Sequence, residues 1–112
     1  MEQRIIQKLT TSGYKLEDIN ELVLIFKQNL HSISDELNIK HNNNPLDLIH
    51  KLKGGLRILL LTEELPEIEL LEKNVYHDGI DAHINSANKL IKEYCHILDK
   101  LLTDIKALNQ EN

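Results

Sequence analysis

The sequence predicts an all-α fold, an up-down antiparallel four-helix bundle with a short extra N-terminal helix. Three observations lead there. Apolar residues recur at spacings of four and three, first as Ile19, Val23, Phe26, Leu30, Ile33 and Leu37. A second, longer series runs Ile80, Ile84, Ala87, Ile91, Tyr94, Leu98, Leu101, Ile105 and Leu108. That rhythm is the seam a helix turns toward near-parallel or antiparallel neighbours. No β-branched run alternates with polar residues as a half-buried strand would. Glycine and proline are rare, at Gly13, Pro45, Gly54, Gly55, Pro66 and Gly79, and group near breaks.

The elements follow in order. Ile5, Ile6 and Leu9 predict a short helix from Glu2 to Leu9, stopped by Thr10-Thr11-Ser12-Gly13. The first apolar series predicts a long helix from Lys15 to Ile39, and His41-Asn42-Asn43-Asn44 reads as a polar turn. Asn44 suits an N-cap, Pro45 the first helical position, and Asp47 the positive end of the helix dipole. That third helix extends to Leu61. Thr62, followed by Glu63, Glu64 and Pro66, opens a fourth helix with Leu65, Ile68 and Leu71 inward, fading near Val75. Tyr76-His77-Asp78-Gly79 is expected as the last loop, and the longest helix then runs from Ile80 to Leu108.

A chain of 112 residues suits one domain, residues 1–112 with a bundle core over about 14–108. With 41% hydrophobic and 28% charged residues it is expected to fold rather than stay disordered. The apolar run Ile58 to Leu61 falls far short of the roughly 20 residues a bilayer span needs, so no direct membrane contact is expected. No signal-peptide pattern opens the chain. One cysteine fits a reducing compartment, and the cytoplasm is the expected location. A net charge of −5 and few aromatics argue against a nucleic-acid partner. The apolar seams are all needed within one bundle, so a monomer is expected.

The chemistry lies in the third helix. His50, Lys53, Gly54 and Arg57 stand at i, i+3, i+4 and i+7 and share one face. Leu48, Ile49, Leu52, Leu56, Leu59 and Leu60 mark the opposite face as buried. The prediction is an imidazole held out to solvent with two cations beside it. Imidazole is in good part neutral at cytoplasmic pH and is then a nucleophile. A phosphoryl group passed to it carries negative oxygens that Lys53 can neutralise, with Arg57 helping from further away. Glycine inside a helix costs about 1 kcal/mol relative to alanine, and two stand here in a row, which implies close approach by another surface.

His50-Lys51-Leu52-Lys53-Gly54-Gly55 resembles the signature of histidine phosphotransfer (HPt) domains of bacterial two-component phosphorelays, His-x-Leu-Lys-Gly followed by small residues. Phe26 in the preceding long helix and Leu71-Glu72 in the fourth are similar to features of the same family, so the resemblance spans about residues 14–105. It implies a four-helix bundle with His50 as phosphoacceptor, Lys53 as charge partner and Gly54 as the clearance residue. It further implies transfer from a receiver aspartate to His50, then to a response-regulator receiver domain. Such a domain is a phosphocarrier rather than an enzyme, either free-standing or the C-terminal module of a hybrid sensor kinase. It binds no cofactor and no metal; magnesium belongs to the partner receiver's acidic site. The chain has no Gly-x-x-x-x-Gly-Lys loop. Two positions depart from the family. Leu60 stands where many members have glycine, implying a helix that is straighter or packed more tightly. Leu56 replaces a commonly small residue, implying a docking face of Gly54, Gly55 and Leu56 with a larger apolar part. The alternative reading is an HPt-like adaptor that binds a receiver without phosphotransfer.

Other candidates point to ordinary roles. His31, His41, His83 and His96 share no spacing. Cys95 and His96 are adjacent, so on a helix they point about 100° apart and cannot chelate together. His77-Asp78 resembles the pair of metal phosphohydrolases, but no second set of ligands accompanies it.

Overall fold

The structure, a computed structural model, describes residues 2–39 and 44–110, without the side chains of Glu2 and Gln3. The polar turn expected at His41, Asn42 and Asn43 lies outside the described residues. Among them are five α-helices: α1 (Glu2–Thr11), α2 (Leu16–Leu37), α3 (Pro45–Ile58), α4 (Leu65–Asp78) and α5 (Ile84–Gln110). Single 3-10 turns over Thr62–Glu64 and Asp81–His83 precede α4 and α5. No described residue is in a strand. No helix among the described residues is long and apolar enough to cross a membrane.

The helix ends show why each element stops where it does. α1 closes with Tyr14 N–H bonded to Leu9 O (3.2 Å) and Gly13 N–H to Thr10 O (3.0 Å), Gly13 taking φ +103°. This pattern satisfies the carbonyls a helix leaves unpaired at its C-terminus. Lys15 N–H donates to Asp18 Oδ2 (3.2 Å) at the start of α2. Asn38 ends that helix by donating its side-chain amide to Ser34 O (2.7 Å). Pro45 occupies the first turn of α3, as expected.

α3 ends three residues earlier than its apolar pattern implied. Leu61 N–H reaches back to Leu56 O (2.8 Å) and Leu60 N–H to Arg57 O (3.1 Å), with Leu60 itself at φ +57°. The chain therefore closes the same C-terminal motif with leucine where glycine is the usual residue, at a cost of about 1–2 kcal/mol. The straighter helix implied by Leu60 is thus not found: the position turns left-handed, and burial of Leu59 and Leu61 on either side holds it there. At the other end of the next helix the difference is opposite. Tyr76, His77 and Asp78 are helical, not a loop, because the chain breaks at Gly79, whose N–H bonds Val75 O (2.8 Å) at φ +84°.

One apolar cluster joins all five helices. Every residue of the first seam, Ile19 to Leu37, is buried, as are Ala87, Ile91, Tyr94, Leu98, Leu101 and Ile105 of the second. α2 and α5 run antiparallel: Lys27 pairs with Asp99, and Asn38 exchanges amide hydrogen bonds with Asn88 (2.9 and 3.1 Å). α3 packs on α2 and α4, and α1 lies against α5 and α2. The molecule is elongated, 49 × 22 × 18 Å. This frame leaves one long side of α3 facing solvent.

Candidate functional site on helix α3

The phase of α3 is set by Leu48, Ile49, Leu52 and Leu56, all 4% exposed or less. A rotation of about 100° per residue then carries His50 and Arg57 to the far side, and both are exposed. His50 has no hydrogen bond or ion pair with any described residue. Arg57 stands two turns on, about 10 Å along the axis.

The two glycines have different reasons. A Cβ on Gly54 would meet nothing within 4 Å, so that side of the helix is open. A Cβ on Gly55 would overlap one edge of the Phe26 ring, 2.7 Å from Cζ and nearer still to Cε1 and Cδ1. Gly55 is therefore where α3 closes onto α2, and Phe26, 5% exposed, fills the space a side chain would need. Leu56 is a correction: at 0% exposed it belongs to the core and contributes nothing to a docking face. The exposed apolar residue nearby is Ile58, 57% exposed. It edges a shallow groove between α2 and α3, together with Asn29 and Lys51, over a floor that includes Phe26 and Gly54.

Lys53 lies on the flank of α3 that faces α4. Its Nζ donates to Glu72 Oε1 at 3.1 Å, with the two side chains 12% and 31% exposed. The sequence placed Lys53 beside His50 but gave no hint of this partner, because nothing local links residues 19 positions apart. Phosphoryl chemistry asks for an accessible nucleophile, nearby positive charge and room for a second protein. His50 is an exposed imidazole, Lys53 and Arg57 lie one and two turns along the same helix, and Gly54 leaves its side of the helix open.

Elsewhere the titratable groups serve local ends. His77 packs edge-on against Tyr76 (centroids 5.4 Å apart), and Asp78 bonds His83 Nε2 at 2.8 Å, fastening the turn before α5. Among the described residues no three His, Cys, Asp or Glu side chains are grouped to hold a metal ion. Burial raises the Cys95 thiol, with Asp99 adding to the effect and Lys27 opposing it. Burial also raises Glu64, helped by Glu67, Glu93 and Glu63. Tyr94, fully buried, is pushed well above the phenolic range by burial and then by Glu64, Glu67 and Glu93; its hydroxyl finds no hydrogen-bond partner among the described residues. A partly open pocket of about 80 Å³ lies between α1 and the α3–α4 junction, with Ile5, Leu60 and Leu61 as apolar lining and Arg4, Lys8 and Glu63 among its charged residues. Its lining includes no histidine or cysteine.

Comparison with protein-family models, with curated proteins and with solved structures finds no match.

Proposed function

We propose that this chain is a histidine phosphotransfer domain, in which His50 takes a phosphoryl group from a receiver aspartate and passes it to a response regulator. The observation that carries this reading is an exposed imidazole in mid-helix, without a partner among the described residues, with the open face of Gly54 and a lysine one turn away. In the transfer, the P–O bond of the aspartyl phosphate breaks as a P–N bond forms to an imidazole nitrogen. The aspartate leaves as a carboxylate, and return transfer reverses the bonds. Lys53 and Arg57 supply positive charge to the phosphoryl oxygens, while magnesium is contributed by the receiver. The protein needs no nucleotide site of its own, so it is a carrier and not an enzyme.

Within this reading α2 to α5 form the up-down four-helix bundle and α1 is an addition packed against α5 and α2. The receiver docks over Gly54 and the groove edged by Lys51 and Ile58. A cytoplasmic monomer, free-standing or as the C-terminal module of a hybrid sensor kinase, fits the same picture. The test is a transfer assay. A labelled, phosphorylated receiver should lose label to the wild-type chain within minutes and to a His50→Gln variant not at all. Equal loss to both proteins would refute the assignment.

A further inference from the structure

We propose that Glu72 is a positioning residue of this site, which holds the Lys53 ammonium away from unphosphorylated His50 and competes for it once a phosphoryl group arrives. The inference rests on the reading of His50 as phosphoacceptor and adds a device that sets how tightly the group is kept.

Lys53 lies one turn past His50, where Cβ atoms are about 5–6 Å apart, and its four-carbon stem can reach either way. In the structure it reaches α4, with Nζ 3.1 Å from Glu72 Oε1. Both groups are largely out of water, so salt screens their attraction less than that of a surface pair. The carboxylate is well placed, since Ile68, Leu71 and Val75 anchor its helix in the core. Among the described residues neither Lys51 nor Arg57 makes an ion pair, whereas Lys53 is already engaged by Glu72. A phosphoryl group on His50 must therefore draw Lys53 from an existing partner, and the negative charge of Glu72 then remains nearby. Both effects oppose retention. They suit a carrier that has to release its cargo.

Phosphoramidate gives a test free of any partner protein. Its P–N bond breaks as a P–N bond to His50 forms, and ammonia leaves with the imidazole proton. At fixed phosphoramidate, ammonium and pH, intact mass gives the ratio of phosphorylated to free protein, and fragmentation gives the site. Glu72→Gln, which keeps shape and the capacity to accept from Lys53, should raise that ratio about threefold, the scale of one partly screened charge. In a Lys53→Met background the same change should have clearly less effect. Equal ratios in wild type and Glu72→Gln, or an undiminished threefold rise without Lys53, would overturn the role of Glu72 while leaving His50 as acceptor. Absence of label on His50 in every protein would instead remove the acceptor reading, and this inference with it.

Discussion

Adding one methyl group to each of the adjacent glycines should have opposite effects. Alanine is better than glycine in a helix interior by about 1 kcal/mol. At Gly54 that gain is available in full, since a Cβ there has nothing within 4 Å. Gly54→Ala should therefore stabilise the fold by about 1 kcal/mol, a rise in Tm of roughly 4 °C or more for a chain of this size. At Gly55 the same gain is opposed by overlap with the Phe26 ring. Phe26 is 5% exposed and cannot swing into solvent without opening the core. Overpacking of this kind costs about 1–3 kcal/mol, and an overlap this deep belongs at the upper end, so Gly55→Ala should lose about 1–2 kcal/mol net. Urea unfolding followed by far-ultraviolet circular dichroism measures both. Phe26→Leu should remove most of the penalty of Gly55→Ala, a coupling visible in the double variant. If the two alanine variants are equally stable, the close approach of α3 to α2 at Gly55 is wrong. If Gly54→Ala, though more stable, accepts phosphoryl from a receiver as fast as wild type, Gly54 is not needed for clearance.

Other outcomes follow from the same structure. Tyr94→Phe removes a buried hydroxyl that has no partner among the described residues and should stabilise by about 1 kcal/mol in denaturant unfolding; a loss would mean that the hydroxyl is satisfied. Glu64 has its folded-state pKa raised, so the folded state holds that proton more tightly than the unfolded one. Its contribution is complete below the ordinary carboxylate range and is lost as pH rises through the folded value. Glu64→Gln should accordingly stabilise by about 0.5 kcal/mol at neutral pH and by nothing at pH about 3; a pH-independent difference would contradict this origin. Arg57→Ala should leave stability within about 0.5 kcal/mol of wild type, as expected for an exposed residue, yet slow transfer.

The seams of α2 and α5 were legible because burial in these long helices repeats at the helical period over many turns. The exposure of His50 followed from the same phase, fixed by Leu48, Ile49 and Leu52. Helix ends were harder. α3 stops through a left-handed leucine, a conformation whose sequence signal is glycine or asparagine, and α4 runs through Tyr76-His77-Asp78 until Gly79 permits the break. The 3-10 turns at Thr62 and Asp81 share start signals with the helices behind them. Within the site, Gly55 carried a true signal of close approach, but whether helix or partner does the approaching depends on Phe26, 29 residues earlier. Leu56 followed the core period, and only the comparison with a family pattern moved it to the surface. Lys53–Glu72 joins two helices and has no local trace.

In the phosphotransfer reading His50 is the one nitrogen nucleophile. The most direct measurement maps the modified residue, by fragmentation mass spectrometry under conditions that preserve phosphoramidates, after exposure to phosphorylated receiver domains. The account predicts phosphate on His50 and on no other histidine. Phosphate on His31, His77 or His96 with His50 unmodified would contradict it.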